Sequence, residues 1–298
     1  MERRKFIKLS LLTGATTLLP GAAASLFSQS APEAVWVEDA EPPALLHSAL
    51  QAFGGMKSFI SKGDVVAVKP NIGWDRAPQF AANTNPELVA EVVKACYEAG
   101  AKEVKVFDRT CNNPQRCYHN SGIAAEVEKY DGQMKQVRDH HFKTTALPKG
   151  QILKEWPLYR EYLESDKQIN IPIAKHHAMA RVTLSLKNLM GIMGGNRGNL
   201  HNGFEKKIID IDQHILPTLT IIDAFRILRR NGPVGGNLND VEMPRTLIMS
   251  RCAVSADMLG LRLFGLEVAD VPYLEEAYRR GLNQYDPLKI NLQKINLS

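Results

Sequence analysis

His176, His177, His201, Asp223 and Asp257 of this 298-residue chain form a candidate set for holding a metal ion or moving a proton. Imidazole nitrogens with carboxylate oxygens suit zinc, iron, nickel or manganese. His176 and Asp257 are candidate metal ligands. Histidine also titrates near neutrality, so His177 or His201 is a candidate general acid or base, with Asp223 to orient it or to ligate. Adjacent His176 and His177 point to opposite sides of an extended chain, so at most one can face a common centre. No HExxH helix spacing occurs. The alternative is that these histidines bind an anion or simply cap structure. Cys111 and Cys117 flank Asn112-Asn113-Pro114-Gln115-Arg116. They could close a local disulfide in an oxidising compartment, or offer thiolates to an iron–sulfur cluster, which ordinarily takes four.

A second set is cationic. Lys69, Arg109, Lys175, Lys187 and Arg197 are candidates for neutralising an anion. The run Gly191-Ile192-Met193-Gly194-Gly195-Asn196-Arg197-Gly198 permits positive φ, so backbone N–H groups around Gly194 and Gly195 could form an anion-binding nest. It fits neither the P-loop spacing nor the dinucleotide GxGxxG fingerprint. A glycine-rich hairpin without a ligand is the competing reading.

These side chains need elements to position them. Apolar runs at 35–37, 65–68, 104–107, 169–173, 219–222 and 246–249 predict strands, and most read as buried parallel strands. Helical spacing predicts helices at 43–53, 204–214, 256–264 and 271–280. The clearest helix starts at the cap Asn85-Pro86 and stops at Gly100, between two strands, which makes a parallel βαβ unit. The expected fold is α/β, a single domain with a mostly parallel sheet flanked by helices and an irregular insertion near 115–165. Open sheets of this kind bind ligands outside the carboxyl ends of their strands. Lys69, Asp108 with Arg109, Lys175 with His176 and His177, Asp223 and Ser250 all follow predicted strands and are expected on one rim.

The ends read differently. Arg3-Arg4-Lys5-Phe6-Ile7-Lys8 before a mildly apolar run matches a twin-arginine export signal, with cleavage expected near Ala24. The expected organisation is a signal at 1–24, a flexible mature N-terminus at 25–34, the α/β domain at 35–282 and an extension at 283–298. A periplasmic protein results, with the twin-arginine translocase as its partner during export and no stable membrane insertion. Removing Arg3, Arg4, Lys5, Lys8 and Glu2 takes +3 from the formal net charge of +5 and leaves +2, so charge gives no case for nucleic acid. Only four cysteines occur, too few for a disulfide scaffold.

The runs Ile169-Asn170-Ile171-Pro172-Ile173-Ala174-Lys175-His176-His177 and Val182-Thr183-Leu184-Ser185-Leu186-Lys187-Asn188-Leu189-Met190-Gly191 are distinctive. With His201, Asp223, Asn231-Gly232-Pro233 and Val68-Lys69-Pro70-Asn71, the chain resembles the domain of unknown function 362 family over residues 63–265. The resemblance implies an association with iron–sulfur chemistry, since many members carry a ferredoxin-like module with clustered cysteines. This chain has no CxxCxxC run, so a cluster would rest on Cys111 and Cys117. The resemblance carries no settled reaction. Two functions are expected: a metal- or iron–sulfur-associated enzyme acting on an anionic small molecule, or a non-catalytic ligand-binding or cofactor-maturation protein.

Overall fold

The computed structural model describes residues 31–283 and 289–298, so the expected signal at 1–24 lies outside the described residues. Strands β1 (Ala34–Glu38), β2 (Val65–Pro70), β3 (Glu103–Val106) and β4 (Gln133–Met134) come first. A separate hairpin of β5 (Phe142–Ala146) and β6 (Glu155–Tyr159) follows. Then come β7 (Lys167–Ile171), β8 (Ile173–His177), β9 (Arg181–Thr183), β10 (Leu219–Leu228), β11 (Val241–Glu242), β12 (Thr246–Ser250) and β13 (Leu292–Asn296). The main sheet runs β13-β1-β12-β10-β7-β2-β3-β4, with β8, β9 and β11 joined beside β10. Along that path only β12 is antiparallel to its neighbours, so the sheet is mostly parallel as expected.

Period-two alternation sorts the strands into two cores. Val66, Val68, Ile221, Leu247 and Met249 pack on one face, and Ala67, Ile222 and Ile248 on the other. The first face is covered by α1 (Pro42–Ala52), α2 (Pro86–Ala99), α3 (Pro114–Asn120) and α4 (Ile123–Glu128). The second carries α5 (Arg160–Leu163), α6 (Ser185–Asn188), α7 (Phe204–Asp212), α8 (Ala253–Gly260) and α9 (Pro272–Arg279). Each aliphatic side chain fully buried this way contributes roughly 1.5–3 kcal/mol. Helix α2 begins as expected: the Asn85 side chain accepts from Glu87 N, and Gly100 closes it at φ 105°. Among the described residues no helix is long and apolar enough to cross a membrane.

Four expectations need correction. The run 169–173 is two strands, because Pro172 offers no N–H and breaks the ladder between β7 and β8. Strand β10 continues to Leu228, so Asp223 lies mid-strand and not at a strand end. Strand β12 is reversed, so the chain leaves Ser250 away from the rim, and Ser250 Oγ donates to Glu33 O. Finally, the two ends of the domain are sheet: Ala34 belongs to β1, and the expected extension supplies β13, parallel to β1. The 115–165 region is indeed irregular, built of short helices, the β5–β6 hairpin and the edge strand β4.

At the end of α7, Asp212 is fully buried and neither carboxylate oxygen has a hydrogen-bond partner. Burial, then the nearby Asp257, raises its carboxyl well above the ordinary range. The folded state therefore holds this proton, and its stability falls as pH rises above the unfolded value of 3.8. Asp212→Asn is expected to stabilise the protein by about 1–3 kcal/mol at about pH 8, with the gain vanishing near about pH 4. Thermal melts at both pH values check it.

Candidate functional site

Strand β2 ends by burying a charge. Lys69 Nζ stands 2.7 Å from Asp108 Oδ1. It also donates to Pro70 O at 2.7 Å and Asn188 Oδ1 at 3.1 Å, so three acceptors surround it. Burial pulls the Lys69 pKa down, and Asp108 opposes that pull. Asp108, two residues past β3, uses its other oxygen to accept from Ile72 N at 2.6 Å, fixing the loop after β2. Gly191 lies over this pair. A Cβ there would sit 1.7 Å from Asp108 Oδ1 and 2.5 Å from Lys69 Cε.

Buried asparagines connect this pair to a second lysine. Asn170 Nδ2 donates to Ser185 O and Oγ, and Asn188 Nδ2 donates to Asn170 Oδ1 at 2.8 Å. Asn188 Oδ1 accepts from Asn71 Nδ2 at 2.8 Å. Asn71 Oδ1 in turn accepts from Lys175 Nζ at 3.1 Å, and Lys175 also donates to Ala82 O at 2.5 Å. Among the described residues Lys175 Nζ has these two oxygen acceptors and no ion pair. Burial brings its pKa from 10.5 to about 7.

Both lysines border a cavity of about 330 Å³ whose lining includes Arg109, Cys111, His177, Lys187, Arg197 and His201. Lys187 Nζ is 3.1 Å from Met190 Sδ and 5.5 Å from the Phe204 ring centre, and burial lowers its pKa to about 8. Arg109 Nη1 donates to Met193 O and Gly195 O. Arg197 donates to Arg109 O, Met190 O and Thr110 O. The two arginines thus clamp the glycine-rich loop while contributing positive charge. His177 Nδ1 accepts from Met179 N and Ala180 N, which puts the ring proton on Nε2. Burial first, and then Lys187 and Lys175, lower its pKa to about 3, so the ring is neutral. His201 is exposed at the mouth, with Nδ1 3.0 Å from Met179 Sδ.

The sequence thus placed Lys69, Arg109, Lys175, Lys187, Arg197, His177 and His201 around one cavity. Other expected residues lie elsewhere. Gly194 and Gly195 do not border it: Gly194 N donates to Pro157 O, a Cβ there would meet the Phe142 ring, and Gly195 O accepts from Arg109. His176 projects from the other face of β8, and its Nδ1 accepts from Gly232 N. Asp223 accepts from Asn85 N and Phe225 N, tying β10 to the start of α2, and burial raises its pKa to about 6. Asp257 accepts from Ser185 N and Leu186 N, holding the first turn of α6, with its pKa raised by burial to about 7. These carboxylates position elements and do not reach the cavity.

Cys111 and Cys117 are free thiols, not a disulfide. Cys117 is buried, and burial pushes its thiol up to about 11, opposite to what a thiolate ligand needs. Among the described residues no three His, Cys, Asp or Glu side chains converge where a metal ion could sit. His176, Asp223 and Asp257 already spend their acceptors on backbone N–H groups. The donor set does not fit a metal ion or an iron–sulfur cluster.

Asn170 and Asn188 escaped the sequence reading as site residues. Their signal was available: an asparagine inside Ile169-Asn170-Ile171 must be buried, and a buried amide needs partners.

The chain is 27% identical over 248 residues to a thylakoid-associated protein of Synechocystis, covering 80% of this chain and 75% of that one. Among solved structures it is similar to the lactate racemase apoprotein of Thermoanaerobacterium thermosaccharolyticum, with TM-score 0.48 and 12% identity. That match covers 78% of this chain but only 57% of the other. A Thermotoga maritima protein matches with TM-score 0.40 and 11% identity over 70% of this chain and 56% of that one. The family model described as Domain of unknown function (DUF362) matches residues 66–262, which run from β2 to just past α8 and include every cavity residue named above. The chain belongs to the DUF362 family.

Proposed function

We propose that this protein binds a small anionic molecule in the cavity at the carboxyl ends of β2, β3 and β8, and that Lys175 exchanges a proton with it. The observation that carries this reading is charge imbalance. Five cationic side chains, Lys69, Arg109, Lys175, Lys187 and Arg197, border the cavity with one carboxylate, Asp108, which Lys69 already engages. Such walls concentrate an anion in a site of low polarity. Lys187, whose amine meets the Met190 sulfur and the Phe204 ring, supplies a cation to the ligand, and the Nε2–H of neutral His177 is a donor towards it. His201 stands at the mouth, against the Met179 sulfur.

Calorimetry with oxalate tests the reading. Lys187→Met is expected to weaken binding by about 1.5–3 kcal/mol, as for a lost charge-assisted hydrogen bond. The ammonium forms of Lys175 and Lys187 attract the anion, and both lose protons as pH rises through about 7 and about 8. Affinity is therefore expected to fall by about tenfold or more from about pH 6 to about pH 9, since one pKa unit corresponds to about 1.4 kcal/mol. An affinity that is unchanged over that range, or absent throughout, counts against the reading.

The same proposal includes export of the folded protein to the periplasm by the twin-arginine route, supported by Arg3-Arg4-Lys5-Phe6-Ile7-Lys8. Replacing both arginines, Arg3→Lys with Arg4→Lys, is expected to leave the unprocessed chain in the cytoplasm. Immunoblots of cell fractions read the outcome, and undiminished export would remove this part.

A further inference from the structure

The two buried lysines of the cavity differ in one respect that matters chemically. Lys69 Nζ has three oxygen neighbours: it donates to two of them, and the third is the Asp108 carboxylate, with which it forms an ion pair at 2.7 Å. Lys175 Nζ has two, Asn71 Oδ1 and Ala82 O, neither of them charged. A neutral amine satisfies both with its two N–H bonds, and the remaining tetrahedral position carries the lone pair. The amine is held in place: Ala82 O is backbone, and Asn71 is fixed through Asn188 and Asn170 to Ser185. Around it stand Lys187, Arg197, Arg109 and the His177 Nε2–H, which suit a carboxylate. A cavity of about 330 Å³ accommodates only a small molecule.

We propose that Lys175 forms an imine with the carbonyl carbon of a small 2-oxo acid whose carboxylate is held by the cationic wall. The inference rests on the anion-binding reading above and names its ligand class. The Nζ lone pair adds to the carbonyl carbon, and the C=O π electrons move to oxygen to give a carbinolamine. Loss of water, its oxygen from the carbonyl and its two hydrogens from the amine, leaves the C=N bond. No oxidant or reductant is required, and hydrolysis reverses the step. The neutral amine that this chemistry needs is the form favoured by burial without a carboxylate partner, as in other desolvated nucleophilic lysines.

Sodium cyanoborohydride reduces such an imine to a stable secondary amine. The full-length protein is incubated with pyruvate and this reagent, then digested and mapped by mass spectrometry. The expected result is one reduced pyruvate adduct on Lys175, absent with propanoate, which has the carboxylate but no ketone. The adduct is lost in Lys175→Met, a variant that removes a buried amine and keeps its aliphatic stem. Circular dichroism establishes that this variant folds; its oxalate affinity is expected to fall below the parent's at about pH 6, where the lost ammonium contributes, and to match the parent's at about pH 9, where Lys175 is already neutral. No adduct, or one found on Lys69, Lys187 or surface lysines instead, overturns the imine. Oxalate cannot form this adduct by dehydration of a ketone, so its binding reports the anion site alone. Oxalate binding without trapping defeats only the imine, whereas failure of oxalate to bind defeats the anion-site reading itself.

Discussion

Replacing Asp108 by alanine is expected to lower the unfolding free energy by about 3–5 kcal/mol, the range for removing one member of a buried ion pair. Lys69 would keep a fully buried amine with its only carboxylate neighbour gone. The Ile72 N–H would also lose its acceptor, which loosens the loop after β2. The double substitution Asp108→Ala with Lys69→Met is expected to recover much of the loss, because no unpaired charge then remains. Urea denaturation of both variants measures it. A single variant within about 1 kcal/mol of the parent protein would show that the pair does not carry the predicted energy.

Gly191→Ala is the second large effect. The added methyl would occupy the place of Asp108 Oδ1 and crowd Lys69 Cε, so the ion pair or the 191–198 loop must move. Overpacking of this kind costs about 1–3 kcal/mol in stability. The functional loss is expected to be larger, because Arg109 N donates to Gly191 O and both arginines clamp the adjoining loop. Moving the loop displaces Arg197 and Met190, and through Met190 the Lys187 amine. Oxalate affinity is expected to fall at least about tenfold, or about 1.4 kcal/mol. Unchanged affinity in calorimetry would mean that the loop absorbs the methyl without disturbing the cavity.

The sequence made the architecture legible where local signals are strong. Asn85-Pro86 and Gly100 bracket α2 because a cap, a first-turn proline and a left-handed glycine depend on neighbouring residues alone. Strand direction was not local: 246–249 reads as a buried strand either way, and only pairing with β1 and β10 reverses it. Lys69, Arg109 and Lys175 were found because charges after predicted strands are conspicuous, and Lys187 and Arg197 because they flank or lie within the glycine-rich run. The carboxylates misled for a related reason. Asp223 and Asp257 are buried acceptors of backbone N–H groups, and nothing in an aspartate's own neighbours distinguishes that use from catalysis. The glycines 194 and 195 were legible as a loop, but its clamping by Arg109 depends on contacts 84 and 86 residues apart in sequence.

Strand β1 lies between β12 and β13, with Ala34 opposite both Ser250 and Leu292. The first strand of the described residues therefore finds its hydrogen-bonding neighbours only more than 200 residues further along the chain. Until it pairs, its N–H and C=O groups face water or the wrong partner, and the chain carries an open sheet edge. Contacts of such sequence separation slow the closure of the sheet. Truncations that remove β13 should leave β1 as an aggregation-prone edge on an otherwise assembled cavity.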